Sequence, residues 1–182
     1  MQVGDKIAFD KYTWRVLDIQ TDKALLLSDK ALEHRPFHND FLDITWEQCA
    51  LRQYLNKGFY NAFNHTDRSK IEKSFVPNIK NPWHNTDGGA DTSDYIFLLS
   101  IEEIIKYFGD FRQYYSEWKT DPYKNARRTK NINGKPTGWW LRSSGIHNKN
   151  VAYLNADGRI FVGGDSVNRI YGVRPALWLR TK

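Results

Sequence analysis

The chain has 182 residues, 40% of them hydrophobic and 15% aromatic, with a formal net charge of +6. That length suits one domain, and seven Trp, ten Tyr and ten Phe can build the core that a modest aliphatic content would not. A disordered composition is excluded, and the single cysteine, Cys49, excludes an intrachain disulfide and any cysteine-based metal site.

Strands open the chain. "KIAFDKYTWRVLDIQTDKALLLSDKAL" reads as two or three of them, with turns at Asp10-Lys11 and Thr21-Asp22-Lys23. Period-2 alternation puts Trp14, Val16 and Asp18 on one face and Arg15, Leu17 and Ile19 on the other. "ALLLS" predicts a strand buried on both faces. A helix follows: Thr45 and Gln48 have capping-box spacing, and Trp46, Ala50, Leu51, Tyr54 and Leu55 recur at helical intervals. Gly58 is its expected C-cap, with Phe59, Tyr60 and Phe63 continuing the apolar stripe in a short second turn. On that helix Cys49 is expected as a small buried hydrophobe, because no positive cluster marks an activated thiolate.

"DRSKIEKSF" predicts a further short helix, and residues 77–93, "PNIKNPWHNTDGGADTS", a loop. "DYIFLLS" predicts a buried strand. Ser100 and Glu103 form a capping box for "IEEIIKYF", which Gly109 stops; Asp110 then caps one more helix through Trp118. Residues 119–137 read as a long polar connection containing "KNARRTK", Lys124 to Lys130, the densest basic cluster. A solvated loop is the expectation there, and a nucleic-acid or anionic-surface patch the alternative.

From Gly138 onward the pattern is β again. "GWWLRSS", "VAYLNA", "RIFVGG" and "GVRPALWL" predict four strands, with a hairpin turn at Asp157-Gly158. The layout is α+β over a single domain, 1–182, with the terminal strands close together and no internal repeat.

These stretches, with "WEQCALRQYLNKGFYNAFN", "SDYIFLLSIEE", "GWWLRSSG", "AYLNADGRI" and "GVRPALWL" in that order, resemble an uncharacterised bacterial and phage-associated domain family. That family is similar to the C-type-lectin fold, in the branch shared with formylglycine-generating enzymes and the variable ligand-binding proteins of diversity-generating retroelements. The resemblance runs from about Trp14 to Leu179, and Ser144 stands where the motif usually has proline. It implies a C-type-lectin-like (formylglycine-generating-enzyme-like) fold: a mixed, mainly antiparallel sheet, two or more helices and long loops. It also implies a structural role for Trp140, Arg142 and Arg174, the two arginines lying partly buried and donating to loop carbonyls and carboxylates. A guanidinium is suited to that role, since five donors in a planar fork can fasten several loops, and it would be costly there without partners.

Chemistry is harder to find. Formylglycine-generating enzymes hold copper with a cysteine pair, which Cys49 alone cannot supply. The "EPN" or "QPD" and "WND" motifs of calcium-dependent sugar binding do not occur, and Asp87, Asp91 and Asp94 match no standard calcium loop. Pro36 lies between His34 and His38 and argues against a helix presenting both. No G-x-S-x-G, Walker A or G-x-G-x-x-G motif occurs, and Ser143 and Ser144 lack a triad partner nearby in sequence. The expectation is therefore a protein with no catalytic residues, no metal and no cofactor.

What remains is a surface. Tyr153, Asn155, Arg159, Arg169 and Tyr171 lie in the stretch that displays ligand-contacting side chains in the retroelement variable proteins. Tyr, Asn and Arg suit adaptable recognition. The implied function is a non-catalytic module binding a protein or glycan. The alternatives are an enzyme of altered chemistry on the formylglycine-generating scaffold and a basic nucleic-acid-associated protein. No apolar run nears the roughly 20 residues that span a bilayer, and "MQVGDKIAFD" lacks the regions of a secretory leader. No membrane partner is expected; the residues do not identify a compartment, and a cytoplasmic or phage-particle setting is the default expectation.

Overall fold

Asp10 takes a left-handed backbone, φ 52°, and folds the opening segment back on itself. In the computed structural model, which describes residues 1–115 and 120–182, β1 (Lys6–Phe9), β2 (Tyr12–Ile19) and β3 (Lys23–Ser28) then form an antiparallel meander. The register of β2 shifts between Val16 and Asp18, so Leu17 is buried along with Trp14 and Val16 and strict alternation fails there. Every residue of "ALLLS" is buried, because β3 is flanked by β2 and by the last strand and covered on both faces. β4 (Glu33–Pro36) leaves for a second sheet.

The helix that follows is irregular. A tight turn, Trp46–Gln48, leads into α1 (Ala50–Tyr54), which widens over Leu55–Phe59. The Thr45 side chain makes no cap bond; the Cys49 Sγ accepts the Arg52 N–H instead, at 3.3 Å. Gly58 does not end the helix but lies within the widened turn, where a Cβ would stand 3.0 Å from the Tyr54 ring. α2 (His65–Arg68) is capped by the Asn64 side chain, which accepts the Asp67 N–H. It stops short of the predicted "KIEKSF", which forms β5 (Ile71–Glu72), because Ile71 is buried in a ladder with the last strand, and β6 (Ser74–Val76), which finds its own partner at Thr92–Asp94.

β7 (Thr92–Asp94) pairs with β6. The rest of "DYIFLLS" is buried as expected but is no strand. It runs between the two large sheets, exchanging hydrogen bonds with Ala176 through Phe97 and accepting the Arg142 N–H at the Leu99 carbonyl. Partners on two different sheets leave it no continuous ladder. α3 (Ile101–Phe108) has the expected reciprocal cap between Ser100 and Glu103, and it ends at Gly109, φ 98°. Asp110 accepts the Arg112 N–H ahead of α4 (Arg112–Tyr115); the remainder of that predicted helix lies outside the described residues.

The predicted polar connection contains α5 (Lys124–Arg127) and a small hairpin of β8 (Thr129–Lys130) and β9 (Pro136–Thr137). The end of the chain is β10 (Trp139–Ser144), β11 (Asn150–Leu154), β12 (Ile160–Ser166), β13 (Ile170–Val173) and β14 (Ala176–Arg180). "GVRPALWL" is thus two strands. Pro175 cannot donate to a ladder, and the chain changes sheets there.

One sheet has the order β1-β2-β3-β14-β5 and the other β12-β11-β10-β13-β4. Only β10 and β13 run parallel within them; the fold is α+β with mainly antiparallel sheets. One contiguous core contains Trp14, Trp46, Trp139 and Trp140. Among the described residues no helix is long and apolar enough to cross a membrane.

Candidate functional site

Register on the second sheet aligns aromatic side chains across neighbouring strands. Phe161 on β12 stands opposite Tyr153 on β11, and Tyr153 opposite Trp140 on β10. Tyr171 on β13 stands opposite Arg35 on β4. The rings touch: Tyr153 stacks on Phe161 at 5.0 Å, and Tyr171 lies 4.5 Å from Tyr153 and 4.7 Å from Trp140. Trp140 is the buried floor, its Nε1–H donating to the Arg35 carbonyl. Phe161 is 41% exposed, while Tyr153 and Tyr171 are half-buried.

Two polar groups bound this row. The Tyr171 hydroxyl donates to Asp165 at 2.9 Å; burial, with Tyr153 and the Asp165 carboxylate beside it, pushes its pKa up and keeps the phenol protonated. At the other end the Arg35 guanidinium lies 3.6 Å from the Tyr54 ring and pairs with Glu33, which also accepts the Tyr54 hydroxyl. Burial and the Glu33 carboxylate push the Tyr54 phenol up to about 12.

Of the five predicted contact residues, the structure brings Tyr153 and Tyr171 together and leaves three at turns. Asn155 holds the β11–β12 turn, its Oδ1 accepting the N–H groups of Asp157 and Arg159, and Gly158 takes φ 87° there. Arg159 is exposed and pairs with Asp157 at 2.9 Å. Arg169 is exposed in the turn before β13, its N–H donating to the Ser166 carbonyl. Sequence reasoning missed Phe161 and Arg35. The alternation Ile160-Phe161-Val162, apolar throughout, hid the fact that its middle residue faces outward.

The arginines of the apolar strands are fasteners. Arg142, 3% exposed, donates to the carbonyls of Leu98 and Pro77 and pairs with Glu103, tying the 77–91 loop, the inter-sheet segment and the start of α3 to β10. Arg174 sits at the corner between β13 and β14, donating from Nε to the Ser28 carbonyl at 2.7 Å, with its guanidinium over Trp139. Burial pushes it down to about 9, which leaves it charged at neutral pH. A third was not foreseen. Arg127, inside the cluster expected to be a solvated loop, is fully buried between the Gly158 carbonyl and Asp121. Arg128 and Lys130 of the same cluster are exposed.

Asn81, also unforeseen, pins the long loop, donating to the carbonyls of Ser144 and Val162 while its Oδ1 accepts the N–H groups of Trp83 and His84.

The carboxylates weighed for calcium have structural partners: Asp94 accepts from Trp46, Arg52 and Thr92, and Asp91 from the Asn78 N–H. The Asp87 Oδ1 accepts the Gly89 N–H. His34 contacts Thr137, and His38 accepts the Ala50 N–H. The Ser143 Oγ accepts the Ile101 N–H, and the Ser144 hydroxyl donates to the Asp87 carbonyl. Burial pushes the Cys49 thiol up to about 12, so it is no nucleophile at neutral pH. Among the described residues no group of three or more His, Cys, Asp or Glu is placed to hold a metal ion.

No curated protein and no solved structure matches the chain. The family described as Domain of unknown function (DUF6273) matches residues 21–181, nearly the whole chain, and the protein belongs to that family.

Proposed function

We propose that this chain is a non-catalytic ligand-binding module that recognises a glycan or a protein through the aromatic row of its second sheet and the turns around it. The observation that carries the reading is the contact of Phe161, Tyr153 and Tyr171 on one sheet face, with Phe161 open to solvent and Asp165 beside it. Flat rings held by strands offer a large contact area with little rotamer freedom left to lose. A carboxylate at the edge of such a face supplies a hydrogen-bond acceptor of the kind that a sugar hydroxyl or a backbone N–H needs.

The scaffold reading belongs to the same proposal: a C-type-lectin-like fold. It is supported by the order of the motifs, by the pairing of β3 with the C-terminal β14, and by the long loop fastened through Asn81 and Arg142. The motif resemblance also supports a bacterial or phage-associated setting.

An array of immobilised glycans and surface proteins, probed with the purified chain and its Tyr171→Phe variant, tests the reading. Saturable binding to a defined ligand, weakened when the hydroxyl at 171 is lost, supports it. Equal retention of both proteins by every ligand refutes it.

A further inference from the structure

A second site lies away from the aromatic row. An open cleft of about 620 Å³ is lined by Lys6 of β1, Asp29 and Lys30 after β3, Arg128 and Lys130 around β8, and Asp157 at the β11–β12 turn. Its walls are stitched together: the Thr129 hydroxyl donates to the Asp29 carbonyl, the Ala31 N–H donates to the Lys130 carbonyl, and the Arg128 Nε–H donates to the Asp157 carbonyl. Segments far apart in sequence therefore meet in a fixed arrangement, and the volume suits a small molecule.

The charge in this cleft is unbalanced. Four cationic side chains face two carboxylates, and both carboxylates are already engaged. Asp29 pairs with Lys6 at 2.9 Å, and Asp157 with Arg159 at 2.9 Å. Among the described residues Lys30 and Lys130, both exposed, have no ion-pair partner, and the Arg128 guanidinium meets only a backbone carbonyl. One more guanidinium is buried beside the lining: Arg174 donates to the carbonyl of Ser28, the neighbour of Asp29 in the chain, and has no ion-pair partner among the described residues, whereas the buried Arg127 is neutralised by Asp121. Charges in low-dielectric walls are weakly screened and focus a positive potential into the concavity.

We infer that this cleft binds a small molecule carrying two or more phosphate groups. Several convergent cations on separate segments match a ligand with several negative charges better than a lone carboxylate. Among the described residues no aromatic ring lines the cleft, so they offer no stacking platform of the kind that single-stranded nucleic acids use. The site is independent of the aromatic row, and neither depends on the other being occupied.

The test is calorimetric titration of the full chain with inorganic pyrophosphate and, at matched ionic strength, with orthophosphate. Expected is saturable one-to-one binding of pyrophosphate, tighter than that of orthophosphate. Lys30→Ala and Lys130→Ala should each weaken it about tenfold, while Lys11→Ala, outside the cleft, leaves it unchanged. Melting curves of these exposed-lysine variants should overlay the parent curve, which separates lost binding from lost folding. Absence of saturable binding, or equal affinity in the Lys30 and Lys130 variants, overturns the inference. So does an oligothymidylate that binds more tightly than pyrophosphate with an affinity that grows with its length.

Discussion

Replacing Arg142 with methionine keeps an unbranched, flexible but shorter side chain and removes every bond that the guanidinium makes. Those bonds are to the carbonyls of Leu98 and Pro77 and to the Glu103 carboxylate, from a guanidinium 3% exposed. Breaking a buried ion pair by removing one partner costs about 3–5 kcal/mol. Glu103 is 24% exposed and keeps the Ser100 N–H as a donor, so water can serve part of its lost coordination and the low end applies. We expect a loss of about 3 kcal/mol, which for a chain of this size lowers Tm by about 6–12 °C. Arg142→Lys keeps the charge but not the fork, and should fall between the two. Urea unfolding gives the free energy, and amide exchange gives the location: the 77–91 loop and the first turn of α3 should lose protection first. A change under about 1 kcal/mol in Arg142→Met, or loss of protection elsewhere, would refute the fastening role.

Three other outcomes are expected. Gly109→Ala forces a side chain onto φ 98° and sets its Cβ 2.4 Å from the Tyr123 ring, so it should cost well over about 1 kcal/mol by denaturant unfolding. Stability should fall at alkaline pH. Cys49 and Tyr54 have pKa values raised in the fold from 9.0 and 10.0 to about 12, so their contribution is present below those unfolded values and is lost as pH rises through about 12. Tyr54→Phe should flatten the upper part of that decline in a pH series of melts, and stability that holds steady from pH 9 to 12 would contradict the assignment. Tyr153→Ala should lower Tm measurably, because its ring packs against Trp140, Phe161 and Tyr171; an unchanged melt would mean that those contacts carry no packing energy.

Local signals carried much of this architecture. The opening meander, the Ser100–Glu103 box with its Gly109 stop and the Asp157-Gly158 hairpin each rest on neighbours in sequence, and each stands in the structure. The misreadings share a cause, which is that distant partners decided the outcome. "KIEKSF" is strand because β14 offers Ile71 a ladder and β7 offers one to the residues from Ser74, and "YIFLL" is not strand because its partners lie on two sheets. Arg127 is buried only because Gly158 and Asp121 come to it from elsewhere in the chain. The aromatic row was half visible. Tyr153 and Tyr171 stood out as residue types, but their contact needs β10 to sit between β11 and β13, an order that composition and period do not encode.

Phe161 offers the sharpest test of the recognition face, since it is the exposed ring of the row and its removal disturbs the core least. The measurement is the affinity of Phe161→Ala for the strongest array ligand, beside its melting curve. Loss of an aromatic anchor should weaken binding about tenfold or more, with Tm within a few degrees of the parent. An affinity equal to that of the parent would place recognition elsewhere and contradict the account.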